Sequence, residues 1–140
     1  MTILVGYKAS DAAKAALDFG LELGAKLSMP VIVVNAGPGS EHRSESQLTQ
    51  SQAEKLEQYL ANFELSTEVR QYARGRSTTE EFKDIVAELD PYLVVIGGAK
   101  RSGFSKFMMG SVADELLREL SVPIVSVKVP QPSETSSNRK

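Results

Sequence analysis

Residues 93–113 of this 140-residue chain read LVVIGGAKRSGFSKFMMGSVA. The stretch opens with an apolar run, Leu93 to Ile96, that stops abruptly at two glycines. A short, uninterrupted apolar run of this kind is typical of a strand buried on both faces of a parallel sheet. The stretch closes on Gly110 and Ser111, where apolar residues at helical spacing begin. It therefore predicts one strand, a connecting loop and the start of one helix.

The same alternation of a short apolar run with an amphipathic helix repeats along the rest of the chain. Further strands are predicted at Ile3–Val5, Val31–Val34 and Ile124–Val129, where apolar residues run together. Thr67–Tyr72 alternates polar and apolar side chains, which favours a strand at or near a sheet edge. Four helices are predicted between the strands. The first is expected to start at Ser10, the second within the polar stretch that ends at Gln52, and the fourth at Gly110–Ser111. The third is expected to start at a capping box formed by either Ser77 with Glu80 or Thr78 with Glu81.

Five strands separated by four helices predict a doubly wound α/β fold, with a five-stranded parallel sheet of order 3-2-1-4-5 and helices on both faces. In that order the first and fourth strands are neighbours where the winding reverses, and their carboxyl ends form the ligand crevice. The loops Gly6–Ser10 and Gly97–Ser111 are expected to line it. We expect one domain over residues 1–129, followed by a disordered polar tail over residues 130–140.

The composition excludes several classes of function. With 16 basic and 18 acidic residues the net charge is -2, so no global field attracts nucleic acid or an anionic membrane. The chain has no cysteine, which excludes disulfides, thiolate metal sites and thiol nucleophiles. No apolar run reaches the length of a membrane span, and the first residues do not form a signal peptide. We expect a soluble, cytoplasmic protein with no nucleic-acid partner and no membrane insertion.

The strand that ends at Gly97 and the helix that begins at Ser111 have the features of an anion site. Glycine lets the backbone approach a ligand without an intervening Cβ. Unpaired amides in the first helical turn attract a negatively charged group. The loop between the two elements adds cationic side chains at Lys100, Arg101 and Lys106. The alternative stays open at this point: Gly97 only ends a strand and Ser111 only caps a helix.

The sequence lacks the residues that three other kinds of phosphate or nucleotide site require. A phosphoryl-accepting receiver domain needs an acidic pair after the first strand and an aspartate after the third, where Lys8 and Arg74 stand instead. A Rossmann dinucleotide site needs glycine-x-glycine-x2-glycine after the first strand, but Gly6–Ser10 reads GYKAS. The P-loop pattern is also absent.

Side-chain catalysis finds no support in the sequence. The only histidine, His42, lies in a polar loop between Glu41 and Arg43 without an evident nucleophile or metal partner. We therefore predict a binding protein rather than an enzyme. Slow ATP hydrolysis stays open, because phosphoryl transfer relies mostly on positioned charge and metal.

Residues 97–111 resemble the ATP-binding signature of universal stress proteins, glycine-x2-glycine-x9-glycine-serine. The resemblance covers nearly the whole chain, from Ile3–Tyr7 to Val122–Lys128. It implies an adenine nucleotide alpha hydrolase-like fold with the sheet order given above. It also implies a homodimer and ATP, with or without Mg²⁺, bound between the first and fourth strands. Two positions depart from the family pattern: Lys100 replaces the second glycine, and Lys8 stands where an acidic residue is usual.

The resemblance also assigns a nucleotide site. It implies that the adenine lies near Gly6, Tyr7, Lys8 and Ala36, and that the phosphates and ribose are held by Gly97, Gly110, Ser111 and Val112, with Ile96 and Lys100 alongside. The implied function is that of a dimeric, ATP-binding stress-response or regulatory protein.

The two lysines leave a second hypothesis open. In it the chain is a degenerate interaction module of the same fold, whose crevice holds no nucleotide and which recruits a protein partner. Phe104, Phe107 and Met108 recur at helical spacing and are interpreted either as a partner-binding ridge or as packing under their own loop.

The last strand is the predicted dimer interface. An exposed edge strand presents unpaired backbone groups that invite pairing with a second copy of the chain. Val125 and Val127 are expected on one face of this strand, and Ile124, Ser126 and Lys128 on the other.

Overall fold

A computed structural model describes residues 1–39, 47–98, 100–101, 107–108 and 111–129, and for residues 100, 101, 107, 108 and 111 it describes the backbone alone. His42, Phe104, Lys106, Gly110 and the tail from residue 130 lie outside this part. The strands are β1 Ile3–Gly6, β2 Val31–Gly37, β3 Thr67–Ala73, β4 Leu93–Gly97, β5 Lys100–Arg101, β6 Phe107–Met108 and β7 Ile124–Val127. The helices are α1 Asp11–Leu27, α2 Gln50–Leu60, α3 Thr78–Leu89 and α4 Ser111–Glu119.

The sheet has the predicted topology. Its five strands lie in the order β3-β2-β1-β4-β7, and all four pairings are parallel. Counted within the sheet alone this order is 3-2-1-4-5, so β1 and β4 are neighbours where the winding reverses. The fold class inferred from the sequence is therefore confirmed.

Two very short strands were not anticipated. Lys100–Arg101 and Phe107–Met108 pair antiparallel in the connection between β4 and α4. The sequence pattern had suggested helical spacing for Phe104, Phe107 and Met108, but the backbone of Phe107 and Met108 is extended and paired. Two-residue strands carry no periodic signal, so this pairing could not be predicted from the sequence.

Two apolar layers cover the sheet. On one face α1 and α2 pack against alternate strand residues such as Ile3, Val31 and Val95. On the other face α3 and α4 pack against the intervening residues, such as Leu4 and Val94. Because successive side chains of a strand point to opposite faces, strands buried on both sides read as the continuous apolar runs seen in the sequence. None of the described helices is long and apolar enough to cross a membrane.

The helix starts follow the sequence signals. The Ser10 hydroxyl accepts a hydrogen bond from the Ala13 amide at 3.1 Å and caps α1. Ser77 and Glu80 form the capping box of α3, which decides between the two boxes that the sequence allowed. Thr49 and Gln52 form a second capping box, which starts α2 within the predicted polar stretch.

Candidate functional site

The carboxyl ends of β1, β2 and β4 lie at the same edge of the sheet. β1 ends at Gly6, β4 ends at Gly97, and β2 between β1 and β3 continues to Gly37. The register pairs Gly6 with Val34, so the last three residues of β2 have no partner on β1. This step above the end of β1 lies where the winding reverses, which is the place where a ligand crevice is expected.

The loop after β1 is held in place by its own backbone. The Tyr7 amide donates to the Val34 carbonyl at 2.9 Å, and the Ser10 amide donates to the Lys8 carbonyl at 2.8 Å. The Lys8 side chain is exposed, and it has no ion pair within the described residues. The loop therefore presents a cation at the position where the family pattern has an acidic group.

The Tyr7 ring packs on the face of the sheet that α1 and α2 cover. It is partly buried against the core that α1 and α2 share, together with Leu48 and Tyr59. Burial raises the pKa of the Tyr7 phenol, with smaller and opposing effects from Lys14, which lowers it, and Asp18, which raises it. The Tyr7 amide donates to the Val34 carbonyl and its carbonyl accepts from Asn35, so Tyr7 holds the loop in place.

Asn35 is a site residue that the sequence analysis missed. Its side chain is 3% exposed, and its Nδ2 donates to the Tyr7 carbonyl at 2.9 Å. Its Oδ1 accepts from the Leu48 amide at 3.1 Å, immediately before the cap of α2. A lone polar residue that continues the apolar run Val31–Val34 was the available signal, because a buried amide must find partners.

Ala36, the next residue, lies at the open side of β2. In a parallel strand the backbone groups of alternate residues point to the same neighbour, and the Val34 carbonyl points to β1. The backbone N–H and C=O of Ala36 therefore point to the same side, where β1 has ended. The Thr78 hydroxyl donates to the Ala36 carbonyl at 2.7 Å and ties the first turn of α3 to this position.

The two glycines after β4 serve packing within the chain. A Cβ at Gly97 would lie 2.9 Å from the backbone carbon and the Cβ of Ala12. A Cβ at Gly98 would lie 2.5 Å from the Ser126 hydroxyl oxygen, and the Gly98 amide donates to the Val127 carbonyl at 2.6 Å. Gly97 thus lets the first turn of α1 sit directly against the end of β4, which narrows the crevice from that side.

A buried ion pair closes the neighbouring turn between β3 and α3. The Glu81 side chain is fully buried, and its carboxylate accepts from Arg74 Nε at 2.9 Å and from Arg74 Nη2 at 2.8 Å. Arg76 Nη1 lies 3.5 Å from the same carboxylate. The guanidinium of Arg74 also stacks over the Tyr72 ring at 4.8 Å from its centroid. The cluster fixes the turn that carries Thr78 to Ala36.

The remaining site residues implied by the resemblance fall into three groups. The Ile96 side chain is buried in the core beneath α3 and α4, so it offers backbone alone. Val112 lies in the first turn of α4, and its side chain is 42% exposed. Lys100 and Ser111 are described by their backbone alone, and Gly110 lies outside the described residues. Within the described part of the chain, no three acidic or histidine side chains are grouped to hold a metal ion.

Comparison with known proteins gives consistent matches over the whole domain. A model described as the universal stress protein family matches residues 1–128. A universal stress protein of Mycolicibacterium smegmatis is 31% identical over 126 residues, which is 90% of this chain and 96% of that one. The structure of a universal stress protein from Archaeoglobus fulgidus superposes with a TM-score of 0.76 at 27% identity, covering 91% of this chain and 98% of that one.

A second structure of a relative holds a ligand. The universal stress protein from Archaeoglobus fulgidus in complex with dAMP has a TM-score of 0.68 at 25% identity, and it covers 91% of this chain and 98% of that one. That relative binds an adenine nucleotide.

Proposed function

The chain belongs to the universal stress protein family, and on this premise we propose that it binds an adenine nucleotide, ATP in the first place, in the crevice between β1 and β4. The observation that carries the proposal is the end of β2, which pairs with β3 but extends beyond β1. β2 continues three residues beyond its last pairing with β1, so the N–H and C=O of Ala36 point to the side where β1 has ended. The C=O already accepts from the Thr78 hydroxyl, and its second lone pair remains for a ligand. Adenine offers an acceptor and a donor side by side, at N1 and the 6-amino group, which complement such a pair.

The start of α4 supports the phosphate end of the same proposal. α4 begins at Ser111, after the connection that leaves the carboxyl end of β4. The first amides of a helix have no intrahelical acceptor, and the helix dipole favours negative charge there. With the base at Ala36 and the phosphates at α4, the nucleotide spans the carboxyl end of β1. A relative from Archaeoglobus fulgidus is solved with dAMP, which supports an adenine nucleotide as the ligand.

Equilibrium dialysis with ATP and Mg²⁺ tests the proposal. We expect saturable binding, and AMP as competitor shows whether the base or the phosphates dominate. No saturable binding up to millimolar ATP would overturn the proposal. It would favour the second hypothesis, the interaction module, for which the exposed cation at Lys8 is the motivating observation.

A charge series at Val112 tests where the phosphates lie. Val112→Asp adds a negative charge to the first turn of α4, and Val112→Lys adds a positive one. At a separation of about 5 Å and an effective dielectric of about 40, each charge changes the binding free energy by about 1.5 kcal/mol, or roughly tenfold in affinity. Asp should weaken ATP binding and Lys should strengthen it, with Val112→Asn as the neutral control.

Helix stability should follow the opposite order, which separates binding from folding. A negative side chain in the first turn stabilises a helix by about 0.5 kcal/mol, and a positive one destabilises it. Thermal unfolding without ligand should therefore rank Asp above Asn above Lys. Equal ATP affinity across the three variants would show that the phosphates do not lie at the start of α4.

We also propose that the protein forms a homodimer through β7, whose outer edge has no strand partner among the described residues. Val125 and Val127 face the α1 layer and Ile124 faces the α4 layer, as the sequence pattern suggested. Backbone groups on an unpaired edge gain most from pairing with a second copy.

Exposed apolar side chains flank this edge on both layers. Phe19 is 38% exposed and lies about 140° around α1 from Lys14, the residue that contacts Tyr59 of α2. Since α1 also packs against β7, that side of α1 faces the outer edge. Leu117 of α4 is 40% exposed and lies on the opposite side of its helix from Glu115, which contacts α3. A second copy seated on β7 would cover both side chains.

A further inference from the structure

We infer that Asn35 is a positioning residue that makes the loop after β1 and the start of α2 move together, so that a nucleotide in the crevice is sensed at α2. The inference rests on the proposed function for its ligand, and on the contacts of one buried amide for its mechanism. Asn35 contacts no nucleotide in this scheme, because its side chain points to the layer opposite Ala36.

The first half of the connection is the hydrogen bond to the loop. Tyr7 is held at both ends of its backbone, since its amide donates to the Val34 carbonyl and its carbonyl accepts from Asn35 Nδ2 at 2.9 Å. The next residue, Lys8, is the exposed cation of the crevice. A ligand that contacts residues 6–8 therefore acts on a backbone whose position is set in part by Asn35.

The second half is the hydrogen bond to the segment before α2. Asn35 Oδ1 accepts from the Leu48 amide at 3.1 Å, and the Leu48 side chain is 6% exposed in the core beneath α1 and α2. The next residue, Thr49, caps α2 with a reciprocal bond to Gln52. Leu48 is thus anchored through its amide, its side chain and the helix that follows it.

The planar side-chain amide is what joins the two halves. The donor and the acceptor of one carboxamide are a fixed distance apart, so a shift of the Tyr7 carbonyl strains the bond to Tyr7 and, through the same planar group, the bond to the Leu48 amide. A buried amide that lost either partner would pay the desolvation cost of an unsatisfied group, which favours displacement of the whole unit. We conclude that the geometry transmits movement rather than merely filling space.

Asn35→Asp separates the two halves with almost no change of shape. The carboxylate still accepts from the Leu48 amide, but an anionic oxygen replaces the donor to the Tyr7 carbonyl. In the ligand-free protein we expect hydrogen exchange of residues 7–10 to increase about tenfold, and that of Leu48 to stay close to the wild-type rate, because one hydrogen bond corresponds to roughly that factor. Leu56→Ala, a cavity variant of α2 outside both contacts, is the control for general destabilisation.

Addition of ATP with Mg²⁺ then tests transmission. In wild type and in Leu56→Ala, ATP should slow exchange at residues 7–10 and also at residues 48–53. In Asn35→Asp it should slow exchange at residues 7–10 alone. Equal responses at residues 48–53 in wild type and Asn35→Asp would overturn the inference while leaving nucleotide binding intact.

Exchange rates measured without ligand test the role of Asn35 independently of nucleotide binding. If wild type binds no ATP, the proposed function fails, and the exchange rates without ligand still decide whether Asn35 holds the loop. Wild-type exchange at residues 7–10 in Asn35→Asp would overturn the role of Asn35 by itself. Asn35→Ser, which is smaller and uncharged, gives a second variant if the carboxylate prevents folding.

Discussion

Replacing Glu81 with alanine is expected to lower the free energy of unfolding by about 3 kcal/mol, because the change removes a fully buried carboxylate that accepts two hydrogen bonds from Arg74. The substitution also leaves a cavity beside Phe82 in the first turn of α3. Arg74 itself is 57% exposed, so its guanidinium can return to water once its partner is gone. The decrease in the free energy of unfolding therefore comes from the lost hydrogen bonds and packing of Glu81, and not from a buried Arg74 without a partner.

Urea unfolding followed by circular dichroism measures this effect. The matched control is Glu119→Ala, which removes the same side chain from a pair with Lys83 in which both partners are about half exposed. An exposed pair of this kind contributes about 0.5 kcal/mol or less. If the two alanine variants unfold at the same urea concentration, the buried pair does not stabilise the turn between β3 and α3.

Replacing Ser126 with proline is expected to convert the proposed dimer to a monomer without unfolding the chain. The Val94 amide donates to the Pro123 carbonyl and the Gly98 amide donates to the Val127 carbonyl, so residues 123, 125 and 127 direct their backbone groups to β4. Ser126 therefore directs its N–H to the outer edge. Proline removes that N–H and leaves the bonds to β4 in place.

The expected weakening of the dimer is large because a two-fold symmetric interface contains Ser126 of both copies, so the substitution removes two hydrogen bonds. Two lost backbone hydrogen bonds at about 1.5 kcal/mol each amount to about 3 kcal/mol, or roughly 150-fold in the dimer dissociation constant. Sedimentation velocity at micromolar concentration measures the change. Ser126→Ala keeps the N–H and should stay dimeric. A wild-type chain that sediments only as a monomer would contradict the dimer, and a dimeric proline variant would place the interface elsewhere.

The central strands β1, β2 and β4 were predictable because each contains an uninterrupted apolar run, and β3 was predictable from its alternating pattern. A run such as Val31–Val34 is apolar at every position, which indicates a strand buried on both faces. Helices between such runs indicate parallel crossovers, and the observed order is 3-2-1-4-5. The end of β2 was not predictable. β2 continues through Asn35 and Ala36 to Gly37 because β3 pairs with it along its whole length, and no local pattern reports a pairing between residues so far apart.

For the candidate site, the sequence suggested a location and none of the contacts that the structure shows around it. The glycine and serine spacing placed a nucleotide crevice at the ends of β1 and β4, and that assignment stays a proposal for the dialysis and charge experiments. The structure adds that Gly97 accommodates Ala12, and that Asn35 and Thr78 hold the two sides of the end of β2. Glu81 was considered for a capping box, and it is the buried partner of Arg74 instead.

The sequence by itself determined the five strands of the sheet, the four helices, their order and the family, because these depend on periodicity, capping residues and motif spacing within short segments. The tertiary structure alone decided which backbone groups remain open at the carboxyl edge and which side chains reach them. The contacts of Asn35 with Tyr7 and Leu48, and of Thr78 with Ala36, join residues between 13 and 42 positions apart. Such contacts exist only once the sheet has brought its strand ends together, so no local property of the chain specifies them.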